Sequence, residues 1–551
     1  MSGILRRISA TLRKPGSEAR GASAASETLL REAARVERAG DRHEAAEIYR
    51  QVLEIDERNA EAYFRLGEIC HADGDFAESA ALFERAAEYA PGDARYHYAL
   101  GCALESVGDL GRAAGCYQAA LGRHAGHAAA HNNLGRILQH VGELAVYSGV
   151  DVAGLARTIS EPGELPASRN PADIRHLGQQ WIREAFAHFQ TAAAIAPGYA
   201  LAELNCGFSL ATSGQFAEAL EHYRRALAID PELAEAHFNS SLALLAQGRY
   251  AEAWGEYEWR WRRPDVPPKP DFDRPEWDGT PLEQRAILLY TEQGYGDSIQ
   301  FARYASLLAS HGARVVILAQ PALREVFETI PGVARVVAPG DPLPAFDTHF
   351  PLLSLPHALG TTLDGIPAQV PYLSASPGRA GQWRVKLAGV DGSGGRAMKV
   401  GLVWASEPRN HIAPMKSVSF DMLAALQSVA NVRFYSLQTG NAARQASEPS
   451  APLAIVDLSA GIDHFADTAA IIANLDLVIS IDTAVAHLAG AMGKPAWTLL
   501  QFAPDWRWYP LAGTSLWYPT MRLYRQPSPG DWQSVVARIA NDLREFARRE
   551  A

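Results

Sequence analysis

Cysteine is scarce in this chain: four residues, Cys70, Cys102, Cys116 and Cys206, among 551. None belongs to a Cys-x-x-Cys pair, so neither a disulfide scaffold nor a thiolate zinc site is in prospect. They read instead as small buried thiols in a reducing cytoplasm. Basic charge is not in excess either. Lys and Arg number 51 against 62 Asp and Glu, a formal net charge of −11, which argues against a nucleic-acid binder with its basic stripe. No apolar run reaches the roughly 18 residues that a membrane span needs. The start, Met1 to Arg20, carries Arg6, Arg7, Arg13, Lys14 and Arg20 without an apolar stretch long enough for a signal sequence. Residues 1–25 are therefore expected to form a disordered basic tail, with weak attachment to an anionic membrane as the lesser alternative. An Asp-x-Asp pair at a strand end, a common holder of divalent metals, is missing too. Asp271-Phe-Asp273 lies between Pro270 and Pro275, where no strand is expected, so no metal is expected.

What is present is ordinary for a globular chain, 48% hydrophobic and 21% charged, long enough for about three domains. The first half repeats itself. Gly67, Gly101 and Gly135 recur every 34 residues, as do Pro197 and Pro231, and that is the tetratricopeptide period. Aromatic and small residues keep the register, with Tyr63, Leu66, Phe83 and Ala86 in one repeat and His97, Leu100, Ala113, Tyr117 and Ala120 in the next. Six units start near residues 26, 60, 94, 128, 200 and 234, giving an α-solenoid over 26–263. The fourth unit is broken by a polar, Pro-rich insertion at about 142–179, its first helix ending near His140 and its second resuming near Gln180. The concave face of such an array suits a protein or peptide partner, or serves structure alone. His124, His127 and His131 have a helical metal-ligand spacing, but Gly126 falls at a repeat junction and breaks the helix they would need.

Residues 264–284 read as a Pro- and Asp-rich linker. Strands and helices then alternate on both sides of a Gly-rich joint at 388–396, predicting two Rossmann-like lobes, 285–387 and 396–551, the second ending in a helix. In the first lobe the strand Ala286 to Tyr290 enters Gly294-Tyr-Gly296-Asp297 and then a helix. The two glycines allow close backbone approach to a ligand. Asp297 either caps the helix or serves as a general base, with Glu292 and His349 as the alternates for that role.

Residues 474–501 carry the most information. An apolar strand, Leu477 to Ile481, runs into Asp482-Thr483, a helix of small residues follows, and Pro495 opens another strand. Free N–H groups and the positive dipole end at Thr483 to Val485 suit an anionic group such as a pyrophosphate, and His487 shares a helix face with Thr483. An ordinary Rossmann turn with a capping Asp-Thr pair is the plainer reading.

In order along the chain, Gly294-Tyr-Gly-Asp297, Lys416 and Asp482-Thr-Ala-x-x-His487 resemble the motifs of heptosyltransferase-like glycosyltransferases of the GT-B fold. Joined to tetratricopeptide repeats, they are similar to bacterial relatives of O-linked N-acetylglucosamine transferase and of flagellin-glycosylating enzymes. The resemblance implies a nucleotide-sugar donor with no other cofactor and a protein acceptor on the solenoid, the alternatives being a lipid or saccharide acceptor or a non-catalytic scaffold with a degenerate transferase domain. It implies Asp482, Thr483, Ala484 and His487 at the donor's diphosphate and ribose, with Gly294, Gly296 and Ser417 lining the same site. Lys416 would stabilise the phosphate leaving group, and Asp297 would take the acceptor proton.

Overall fold

A computed structural model describes residues 18–147, 171–391, 397–407, 413–509 and 513–550. The chain is an α-solenoid followed by an α/β half with two parallel sheets, and it divides into two compact units.

The first unit holds Met1–Ala145 and Gly149–Asn205. Its helices pack in successive pairs, Glu18–Arg38 with Arg42–Ile55, Ala60–Ala72 with Phe76–Tyr89 and Ala94–Ser106 with Leu110–Arg123. Asp41, Asn59, Asp75, Asp93 and Asp109 each accept a backbone N–H at the N-terminus of the next helix, worth about 1 kcal/mol apiece. The periodic glycines have a steric cause. A Cβ on Gly67 would lie 2.6 Å from the Phe83 ring, and one on Gly101 would lie 2.6 Å from Tyr117. The aromatic of the second helix thus sits directly on the backbone of the first. Gly135 repeats the contact with Phe189 across the insertion, at 2.7 Å.

Two boundaries differ from expectation. The first helix is Glu18–Arg38, so residues 18–25 are helical and only 1–17 of the expected tail lie outside the described residues. Leu29, Ala33 and Val36 pack on Ala45, Tyr49 and Val52 of the next helix, which draws the chain into a repeat-like pair. The insertion is also shorter than 142–179. The flanking helices are Ala128–Tyr147 and Pro171–Ile195, because buried Val141, Ala145, Leu177 and Trp181 carry the apolar helical period past the usual repeat length. Residues 148–170 lie outside the described residues.

His124, His127 and His131 have structural partners. His124 caps the C-terminus of the helix Leu110–Arg123, while His131 lies in the following helix, its Nε2 3.1 Å from the Ala125 carbonyl and its Nδ1 2.7 Å from His188 Nδ1. His127 packs its ring on Tyr98.

The second unit holds Val146–Ser148 and Cys206–Ala551, so the repeat helices Phe216–Ile229, Ala234–Ala246 and Tyr250–Tyr257 share a compact body with the α/β half. Trp254 donates its Nε1–H to the Thr361 carbonyl at 2.8 Å and packs edge-on to Trp506. The linker lies on the first lobe: Trp277 N–H donates to the His349 carbonyl, and Phe272 packs against His349 and Phe346. Asp271 and Asp273 stay exposed.

The first lobe is a four-stranded parallel sheet in the order β3-β2-β1-β4, with β1 Ala286–Tyr290, β2 Arg314–Leu318, β3 Val333–Val337 and β4 Thr348–Pro351. The second is six-stranded and parallel, in the order β10-β9-β8-β5-β6-β7. Its strands are β5 Met398–Val403, β6 Val432–Ser436, β7 Ile455–Asp457, β8 Leu477–Ile481, β9 Ala496–Leu500 and β10 Met521–Arg525. Strands β1, β8 and β9 are buried along their whole length, as expected for sheets covered on both faces. The C-terminal helix Trp532–Glu550 closes one face with Val535, Ile539 and Leu543. Strand order reverses between β5 and β8, and in the first lobe between β1 and β4. Ligands of open parallel sheets bind at such reversals, beyond the strand C-termini.

Candidate active site between the two lobes

The loops that leave β5 and β8 deliver Lys416 and Asp482 to the reversal in the second sheet. Lys416 ends the short helix Ala413–Lys416. Ser417 fastens that helix to the strand end, its hydroxyl donating to the Ala413 carbonyl at 2.7 Å and accepting the Ser406 N–H at 3.0 Å. Residues 408–412 of this loop lie outside the described residues. Lys416 Nζ stands 2.6 Å from Asp482 Oδ2, with the side chains 14% and 11% exposed. Burial alone would lower the Lys416 pKa, but Asp482 and Asp505 outweigh it and hold the ammonium charged. Burial likewise opposes ionisation of Asp482, and Lys416 overcomes it.

Thr483 is the N-cap of the helix Ala484–Ala491 and makes no side-chain cap bond. Its hydroxyl is 3.0 Å from Ser480 Oγ instead. The first N–H groups of the helix have no intrahelical partner, and Thr483, Ala484 and Val485 are only half-buried. The sequence thus leaves a set of donors beside a lysine.

His487 lies one turn further in. Its Nδ1 is 2.9 Å from the Tyr518 hydroxyl, its Nε2 is 3.9 Å from Asp482 Oδ1, and Trp508 stacks on it at 5.2 Å. Burial pushes its pKa down to about 3, so the imidazole is neutral. Gly296 of the first lobe presses on the same ring, where a Cβ would lie 2.9 Å from Cδ2. The glycine is required by this close approach between lobes.

Asp297 is bound on both oxygens. Oδ2 accepts the Gly294 N–H at 3.1 Å, a capping bond for the helix Tyr295–Phe301. Oδ1 pairs with Arg507. Capping is therefore present, and the ion pair is an addition that sequence reasoning missed. Glu292, the first alternate base, is paired with Arg260 at 2.8 Å and accepts the Leu353 N–H, and burial raises its pKa to about 7. His349, the second, lies in β4 with its ring against Phe272. Trp506 and Trp508 are buried packing residues. The structure brings Gly294, Gly296, Asp297, Lys416, Ser417, Asp482, Thr483, Ala484 and His487 to the facing loops of one compact unit. Arg507, Asp505 and Tyr518 join them without having been foreseen; an arginine inside the aromatic run Trp506-Arg-Trp-Tyr509 was the available signal.

Comparison with known proteins agrees with this division of the chain. Residues 38–101, 98–145 and 209–248 match tetratricopeptide-repeat families. Residues 423–515 match glycosyltransferase family 9 (heptosyltransferase). The chain thus joins segments that match tetratricopeptide repeats to one that matches glycosyltransferase family 9. The matched segment contains Asp482, Thr483, Ala484, His487 and Arg507. Protein FlbA of Caulobacter vibrioides is 26% identical over 333 residues, 53% of this chain and 52% of that protein, so the similarity spans about half the length of this curated relative. Among solved structures, MamA is 19% identical with a TM-score of 0.28, covering 37% of this chain and 96% of its own. PilF of Pseudomonas aeruginosa is 13% identical with a TM-score of 0.32, covering 43% and 89%. Among the described residues, no helix is long and apolar enough to cross a membrane, and no group of three or more His, Cys, Asp or Glu is arranged to hold a metal ion.

Proposed function

We propose that this chain is a cytoplasmic, metal-independent glycosyltransferase of the GT-B type. It moves a sugar from a nucleotide-sugar donor to a protein acceptor held by the repeats. The observation that carries the reading is Lys416 beside the uncapped helix start at Thr483, at the strand-order reversal of the lobe that bears the family 9 match. The unpaired N–H groups and the ammonium suit the diphosphate, while the Asp482 carboxylate, an acceptor only, suits ribose hydroxyls.

In the transfer step the bond from the anomeric carbon to the phosphate oxygen breaks, and the acceptor oxygen bonds to that carbon. The acceptor proton passes to Asp297, and the charge left on the diphosphate meets Lys416 and the helix N–H groups. Stabilising that leaving group is the largest contribution asked of the protein. A rival reading, a lobe that binds nucleotide without turnover, draws on the protein partners that Asp297 and Lys416 already have.

A thermal-shift panel of nucleoside diphosphates and nucleotide sugars tests the donor site. A ligand at about 100 times its Kd adds about 2.7 kcal/mol to the stability of the folded state. Replacing Lys416 with Ala should weaken binding about tenfold or more, given about 1.5–3 kcal/mol for a charged hydrogen bond. A panel that leaves the melting temperature unmoved contradicts the reading.

A further inference from the structure

Arg507 belongs to the second lobe, in the turn Trp506–Trp508 after β9, yet its guanidinium is committed to the first. Nη2 bonds Asp297 Oδ1, Nε donates to Gln300 Oε1 at 2.5 Å, and Nη1 donates to Asp505 Oδ1 at 2.8 Å within its own lobe. The Trp506 ring lies 4.6 Å from the guanidinium carbon. The residue is 8% exposed. Every edge of the fork has a partner, so its position is set to within the tolerance of three hydrogen bonds. Lysine, a point charge, could not reproduce this arrangement.

We propose that Arg507 is the positioning residue for Asp297: it reaches across from the donor lobe and fixes the carboxylate at the cleft. This rests on the glycosyltransferase reading, in which Asp297 takes the acceptor proton. Gly294 and Arg507 use one lone-pair direction on each oxygen, and a carboxylate has about four such directions in all, so accepting directions remain for an acceptor hydroxyl. The pair also couples the two halves of the site, since donor contacts come from the loop after β8 and the base from the loop after β1. The charged and titratable groups around Asp297 are Arg507 and, beyond it, Asp505 from the second lobe, His487 across Gly296, and Tyr257 from the last repeat helix. Among these Arg507 is the one cation in contact.

The test compares wild type with R507Q, R507K and D297N. Turnover is read as nucleoside diphosphate released from whichever nucleotide sugar shifts the melting temperature most, measured between about pH 4 and 9. R507Q should lower the kcat plateau about tenfold or more while KM for the donor stays within about twofold, because a misplaced base costs turnover and not donor binding. R507K, which keeps the charge but not the planar fork, should leave the plateau low. D297N should lose about 10²-fold or more of turnover. An R507Q profile that superimposes on wild type, with D297N inactive, overturns the positioning role of Arg507 and leaves the base standing. D297N with wild-type turnover overturns the base itself, and the Arg507 proposal with it. Should R507Q not fold, R507K decides, and a wild-type plateau there refutes the proposal.

Discussion

Replacing Lys416 with Ala leaves the Asp482 carboxylate in a site where only 11% of its side chain meets water. At 2.6 Å and an effective dielectric constant of about 20, the direct attraction of the pair is about 6 kcal/mol. Desolvation of both ions consumes much of that, so the net worth of the pair is far smaller. The cost of removing one partner is larger, about 3–5 kcal/mol, because the other is left buried and uncompensated. K416A is therefore expected to lose about 3 kcal/mol at pH 7, measured by urea unfolding with tryptophan fluorescence. The double variant K416A/D482N, which removes both charges, should recover most of the loss.

The pH dependence gives a second handle. In wild type the Asp482 pKa is held below its ordinary value, so its contribution is present above the unfolded carboxyl pKa of about 3.9 and disappears as pH falls through the folded value. In K416A burial dominates and the folded pKa rises above the unfolded one. Stability of the variant then falls as pH rises through about 4, and its deficit against wild type grows from pH 4 to 7. A K416A protein within about 0.5 kcal/mol of wild type at pH 7, or a deficit flat with pH, would refute the account of this pair.

Truncation should follow the compact units and not the repeat count. Deleting residues 1–205 is expected to leave a folded protein that still binds nucleotide, while deleting 1–263 strips Trp254 and Arg260 from the second unit and should cost cooperative melting and binding; calorimetry of both variants checks this. The first unit should weaken in acid. Burial pushes the His188 pKa down to about 4, against about 6.5 unfolded. The unfolded chain therefore binds more protons between those values, and stability is complete above about pH 6.5 and falls toward pH 4, by on the order of 2 kcal/mol. H188Q should flatten that slope in pH-dependent urea unfolding.

Much of the architecture was legible because it is periodic or local. Glycine every 34 residues is demanded by the ring of Phe83, Tyr117 or Phe189 lying on the helix backbone. Strands that run apolar end to end announce a sheet covered on both faces, and Asp482-Thr483 before small helical residues announces an open helix start. The remainder depends on contacts without period. Arg507 meets Asp297 from 210 residues away, and neither segment's pattern names the other. Lys416 meets Asp482 only because β5 and β8 are neighbours, which strand order decides and local sequence does not. The helices flanking the insertion outrun expectation because the Pro and polar residues at 161–170 mark only its middle, while the apolar spacing of Val141, Ala145, Leu177 and Trp181 carries each helix further.

The central claim is sugar transfer from a nucleotide donor to a protein without a metal. Its most direct measurement supplies radiolabelled nucleotide sugars, one at a time, to the full chain with an extract of its own cells in excess EDTA, then separates the proteins by gel. The account predicts that one donor labels a protein band, that the label persists in EDTA, and that K416A and D297N fail to produce it. No labelled band with any donor, or a band that appears only when Mg²⁺ or Mn²⁺ is restored, would contradict it.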